Sequence, residues 1–178
     1  RGPILRRLRT EIHRVVDAHL PGGVRVAYLN FPNHRNAGDD AIWLAGERLI
    51  RRHDRRIAYR SAWNSLSSTR LDQALGSDGW IVLNGGGNFG DLYPNGQQAL
   101  RERVLRDWRD RPILQLPQSI YFRDPAARDV MGELVGQHGG MTILCRDEAS
   151  LAVAREWDAT VAYCPDLCFV LGPFARRE

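Results

Sequence analysis

Hydrophobic and polar positions along this chain follow two rhythms that take turns: helical stripes and short, unbroken apolar runs. Residues 3–19 place Ile4, Leu5, Leu8, Ile12, Val15 and Val16 on one stripe with arginines on the other side, which predicts an amphipathic helix. Pro21-Gly22-Gly23 ends it. From there the pattern predicts strand 24–31, helix 40–53, strand 56–62, helix 68–76, strand 79–84 and helix 95–109. It continues with strand 112–117, helix 124–137, strand 141–145, helix 147–157 and strand 160–164, with a further strand expected over 167–171 after a break at Pro165. The strands are continuous rather than alternating apolar segments, as in a sheet covered on both faces. The expected class is therefore α/β, a doubly wound, Rossmann-like parallel sheet. Residues 1–23 read as an N-terminal helix and turn, 24–172 as the α/β domain, and 173–178 as the start of a linker or a truncated end.

Composition narrows the chemistry. The 178 residues suit one domain with a real core, and the net charge of +4 is mild and dispersed. That balance favours an anionic ligand and gives no reason to expect nucleic acid. All 25 basic residues are arginine, which excludes Schiff-base chemistry and a P-loop lysine and leaves planar forks for carboxylate and phosphate. No apolar run approaches the ~20 residues of a membrane span. The basic first helix allows a peripheral place on a membrane surface, but packing on the domain is the simpler expectation. Cys145, Cys164 and Cys168 have neither disulfide-framework nor zinc spacing. They read as buried, inert thiols of a reducing compartment, and no metal site is expected.

Candidate chemistry gathers at the predicted strand ends, where ligands bind in parallel sheets. After the first strand come His34, Asn36, Ala37, Gly38, Asp39 and Asp40. Asp39 or Asp40 can cap the helix expected at Ala41, which leaves polar groups over for a ligand. After the third strand, Gly85-Gly86-Gly87-Asn88-Phe89-Gly90 formally satisfies a dinucleotide fingerprint. No helix opens inside that motif and no acid follows at the ribose-binding distance, which argues against NAD(P). Its backbone amides still suit an anion. Gln118 and Ser119 end the fourth strand with a neutral hydrogen-bonding edge. Arg146, at the fifth strand's end beside a helix N-terminus, is an anion clamp unless Asp147 or Glu148 pairs with it. Asp166 closes the sixth strand as a site acid or a turn residue.

In this order the motifs Asn36-Ala37-Gly38-Asp39-Asp40-Ala41, Gly85 to Asp91, Leu116-Pro117-Gln118-Ser119, Arg146 to Ser150 and Pro165-Asp166 resemble the polysaccharide pyruvyl transferase family. The resemblance implies the N-terminal lobe of a GT-B-like two-lobed enzyme. It implies phosphoenolpyruvate as co-substrate, no cofactor, and a sugar or lipid-linked glycan acceptor on which a pyruvate ketal is built. A C-terminal lobe, in cis or in trans, would complete the site, and the setting would be cytoplasmic or at the inner face of the membrane. On this reading Arg146, Gly85, Gly86, Gly87, Asn88 and Ser150 bind the donor. Asp39 and Asp91 orient or deprotonate the acceptor, and His34 is the local candidate for the acid. Asn36, Gly38, Gln118 and Asp166 shape the acceptor side or its loops. The alternatives are a GT-B-like glycosyltransferase using a nucleotide sugar and a non-catalytic half that pairs with a separate lobe.

Overall fold

A computed structural model describes residues 2–172, so the expectation for 173–178 lies outside the described residues. The sheet strands are β1 (Arg25–Phe31), β2 (Arg56–Ala62), β3 (Trp80–Leu83), β4 (Gly86–Gly90), β5 (Ile113–Tyr121), β6 (Met141–Cys145) and β7 (Thr160–Tyr163). Every pairing is parallel, in the order β2-β1-β3-β5-β6-β7 with β4 beside β5. This is the doubly wound, Rossmann-like arrangement, and the winding reverses between β1 and β3. Ligands in such sheets bind at the carboxyl ends flanking that reversal.

Helices cover both faces. On one face, α3 (Ser68–Leu75), α4 (Ala99–Asp107), α5 (Pro125–His138) and α6 (Glu148–Arg155) pack Leu71, Val104, Val135 and Leu151 against Leu29, Ile81, Ile113 and Ile143. On the other, α1 (Gly2–His19) and α2 (Ala37–Ile50) pack Ile12, Val16 and Leu49 against Val26, Tyr28, Val82 and Leu114. The stripe on α1 is thus partly core, and Arg9 ties it to the far end of the fold through the carbonyl of Phe169 at 2.8 Å. No described helix is long and apolar enough to cross a membrane.

Four local expectations change. The segment 167–171 is a 3-10 turn (Leu167–Val170), not a strand; Asp166 caps it by accepting from the Cys168 N–H at 2.8 Å. Helix 95–109 is divided: Pro94–Gln98 forms a π-helical turn interrupted from within by non-helical Gly96 (φ −119°, ψ −108°), and α4 begins only at Ala99. The helix after β1 starts at Ala37 rather than 40, with Asn36 as its cap. Finally, the glycine-rich segment is a strand as well as a turn. After a kink at Asn84-Gly85 the chain resumes as β4 and pairs with β5, which therefore runs to Tyr121 instead of stopping at 117. Gly90 makes that pairing possible. Its φ is +134°, and a Cβ there would lie 1.7 Å from the Tyr121 carbonyl oxygen, a space no other residue fits.

Candidate active site

A cavity of about 1100 Å³ opens at the reversal, lined by the loops after β1 and β2, the first turns of α2, Gly87 and Asn88 of β4, residues 93–97 and Arg146. Its rim begins with a bulge. Asn30 adopts a left-handed conformation (φ 70°) where the β1–β2 register shifts, a conformation asparagine tolerates better than most residues. The chain then turns over the sheet edge into α2. Tyr28 and Trp43 stack with ring centroids 3.8 Å apart, and the Tyr28 hydroxyl donates to Asn84 Oδ1 at 2.5 Å. These contacts pin α2 to both β1 and the kink that begins the glycine-rich strand.

Asn36 uses Oδ1 to accept from the Gly38 N–H at 3.0 Å and Nδ2 to donate to Asp39 Oδ2 at 2.8 Å. His34 Nε2 meets the same carboxylate oxygen at 2.7 Å. Both members remain reachable: the His34 side chain is 43% exposed and that of Asp39 24%. The rim is therefore a histidine–carboxylate pair with its orientation set by the helix cap, able to hold or pass a proton.

The inner wall is made by Gly87, Asn88 and Arg146. Arg146 does not pair with Asp147 or Glu148. Its Nη1 bonds Asp166 and its Nε donates to Ser119 Oγ at 2.9 Å. Ser119 in turn donates to Asp147 Oδ2 at 2.6 Å, and Asp147 Oδ1 caps α6 by accepting from the Ser150 N–H at 2.8 Å. Two sides of the guanidinium are thus fixed, while Nη2 makes no hydrogen bond among the described residues. That nitrogen lies 3.1 Å from where a Cβ on Gly87 would stand; the absent side chain lets the arginine overhang the strand. A positioned N–H of this kind suits a carboxylate or phosphate oxygen.

Of the candidates, the cavity gathers His34, Asn36, Gly38, Asp39, Gly87, Asn88 and Arg146. The others stand behind it. Gly85 passes against β5, where a Cβ would meet the Pro117 carbonyl oxygen at 2.7 Å, and Gly86 is buried. Gln118 is fully buried and holds the loop, donating to Asn84 O at 3.0 Å and to Asn88 Oδ1 at 3.1 Å while accepting from the Asn88 N–H at 3.3 Å. The Asn88 amide N–H is thereby taken, so this residue presents its side chain to the cavity instead. Ser150 is buried, and its hydroxyl accepts from the Ile120 N–H at 2.7 Å, locking α6 to β5. Asp91 accepts from the Arg123 and Asp124 N–H groups at 2.7 and 2.8 Å. Those two bonds hold its carboxyl below the usual range and commit it to the β5–α5 loop. Asp166 serves as both turn cap and partner of Arg146.

Sequence reasoning missed Trp63 and Tyr93, which line the cavity from the ends of β2 and of the glycine-rich loop. Both are well exposed, at 38% and 54%. The strand-end rule would have found Trp63 had it been applied to β2 as well. Burial pushes the Cys145 and Cys164 thiols up to about 12, which leaves them protonated at neutral pH. Cys168 is exposed rather than buried. Among the described residues no group of three or more His, Cys, Asp or Glu side chains is placed to hold a metal ion.

Residues 36–178 match the family described as polysaccharide pyruvyl transferase. The chain is 31% identical over 168 residues to the putative pyruvyl transferase EpsO of Bacillus subtilis, covering 93% of this chain and 51% of that protein. It is also 31% identical over 163 residues to pyruvyl transferase 1 of Schizosaccharomyces pombe, covering 87% of this chain and 40% of that one. General stress protein 30 of Bacillus subtilis is 26% identical over 169 residues, 90% of this chain and 49% of its own length. The chain spans about half the length of the curated relatives it matches.

Proposed function

The chain belongs to the polysaccharide pyruvyl transferase family, and from that premise we propose that its cavity takes phosphoenolpyruvate and transfers the pyruvyl group to hydroxyls of a glycan. The observation that carries this reading is the Arg146 guanidinium, held by Ser119 and Asp166 with Nη2 unoccupied beside Gly87. Phosphoenolpyruvate bears a carboxylate and a phosphate, and a preoriented cation with an adjacent amide side chain, Asn88, matches that charge. The His34–Asp39 pair lies on the same cavity and supplies the proton chemistry.

The reaction balances as follows. An acid protonates the methylene carbon, which makes C2 electrophilic. One sugar hydroxyl adds to C2 as its proton is taken up, restoring the acid–base balance. The second hydroxyl attacks the same carbon, phosphate departs, and a second proton leaves with it. His34, held by Asp39, takes the acceptor proton. The exposed faces of Trp63 and Tyr93 give the acceptor's pyranose ring an apolar surface to lie on. A further lobe, from the same polypeptide or another, completes the site around the acceptor.

Calorimetric titration of the complete polypeptide with phosphoenolpyruvate, beside Arg146→Ala, tests this reading. Saturable binding that the substitution weakens by about a hundredfold or more is expected, from the loss of a charge-assisted contact in a partly enclosed site. An Arg146→Ala protein that folds and binds the donor normally would sink the assignment.

A further inference from the structure

Among the described residues Arg101 is the largest fully buried side chain, 1% exposed, and no carboxylate pairs with it. Its Nε donates to Gln115 Oε1 at 2.9 Å, its Nη1 to Gln98 Oε1 at 2.9 Å, and its Nη2 to Asn88 Oδ1 at 3.2 Å. The Phe89 ring lies beneath it, with the guanidinium carbon 4.0 Å from the centroid. Neighbouring Glu102 is otherwise engaged, accepting from Gln98 and Arg106. Every partner is therefore neutral. A buried cation surrounded only by neutral acceptors is costly and ordinarily neutralised by a carboxylate. Here the unbalanced charge lies directly behind Asn88, on the cavity's inner wall.

The geometry also dictates how Asn88 points. An arginine can only donate, and Gln118 Nε2 donates to the same Asn88 oxygen at 3.1 Å. Both therefore require Oδ1 to face inward, which leaves Nδ2 on the other side. That Nδ2 makes no hydrogen bond among the described residues. It stands on the side of Asp39: a Cβ on Gly86 would be 3.9 Å from Asn88 Nδ2 and 3.7 Å from Asp39 Oδ1.

We infer that Arg101 is a positioning residue for the anionic donor: it turns the Asn88 side-chain N–H groups into the cavity and supplies an uncompensated positive charge behind them. The inference rests on the reading of the cavity as a phosphoenolpyruvate site. The fold leaves the guanidinium without a counter-ion because the donor's own negative charge provides one, across a single residue, when it binds. Burial draws Arg101 down to about 9, which still leaves it charged at neutral pH. Arg146 touches the anion, whereas Arg101 acts through Asn88 and through space.

Replacing Arg101 with methionine is the direct test, but it also empties a buried hydrogen-bonding site. The decisive variant is the double exchange Gln98→Glu with Glu102→Gln. It moves one negative charge by one turn of chain, onto an atom already bonded to Arg101 and to the Gly90 N–H, and leaves the net charge unchanged. In the complete polypeptide, titrated with phosphoenolpyruvate and separately with inorganic phosphate, the double variant should bind both about tenfold more weakly. Its melting temperature should be equal or higher, and its acceptor KM unchanged. Donor affinity within twofold of the unsubstituted protein would overturn the inference while leaving the donor reading intact. Absence of any phosphoenolpyruvate binding by the unsubstituted protein would overturn the donor reading itself.

Discussion

The two walls of the cavity are built in opposite ways. The rim, from His34 to Asp39, is a surface loop whose hydrogen bonds run among its own neighbours: Asn36 to Gly38, Asn36 to Asp39 and His34 to Asp39. The inner wall is a glycine strand whose Asn88 is held from behind by the buried Arg101 and Gln118, together with Arg146, which is fixed by the half-buried Ser119. The difference matches the work assigned to each. A group that exchanges protons with a substrate must stay reachable and can be ordered locally. A group that stabilises charge must be fixed beforehand, which requires a rigid shell.

Four experiments break or sharpen that contrast. The largest effect is expected from Gly90→Ala. The new Cβ would collide with the Tyr121 carbonyl at a backbone conformation closed to other residues, so β4 should separate from β5. A loss of ~3 kcal/mol or more in chemical denaturation is expected. Stability unchanged within experimental error would show that the inner wall does not depend on this pairing.

On the rim, Asp39→Asn should leave the melting temperature nearly unchanged and lower kcat by about a hundredfold, the scale of losing one acid–base partner. The opposite pattern, a destabilised protein with normal turnover, would make Asp39 a helix-cap accessory and nothing more. Trp63→Ala should raise the acceptor KM by about tenfold, consistent with the loss of one aromatic contact, while donor binding stays constant. A change confined to the donor would remove Trp63 from the acceptor side.

The smallest effect concerns acid. Backbone N–H groups of Arg123 and Asp124 hold the Asp91 carboxyl below the usual range. A lowered folded-state value means stability that is fully present above the unfolded value of about 3.9 and is lost as pH falls through the folded one. The gap in melting temperature between the native protein and Asp91→Asn should therefore be constant above about pH 5 and shrink toward lower pH. A gap that persists undiminished to the lowest pH at which the protein folds would mean the Asp91 charge contributes nothing.

The same contrast explains what was legible beforehand. The alternation of elements, their parallel arrangement and the two loops flanking the reversal all follow from local patterns, because apolar runs and strand-end glycines are themselves local. His34, Asn36 and Asp39 lie within six residues of one another, so the rim was legible as a unit. Of the inner wall, Gly87, Asn88 and Arg146 were legible, but not the groups that hold them from behind. Gln118, Ser150 and Asp91 carry polar groups at strand ends or a helix start, the same signal as Arg146, yet the fold buries Gln118 and Ser150 and commits Asp91 to the β5–α5 loop. Arg101 bore a signal that went unread: a charged residue in the buried stripe of Leu100, Val104 and Leu105.

Sequence alone determined the doubly wound sheet, the strand ends where the cavity lies and the polar loop of its rim, since each rests on spacings of a few residues. Tertiary structure decided which strand-end polar groups face the ligand and which hold the others in place. It also decided that the glycine run would be a strand and that Arg146 would pair with Asp166, 20 residues away. Those outcomes depend on the pairing of β4 with β5 and on buried hydrogen-bond partners, and no local spacing encodes who meets whom across a core.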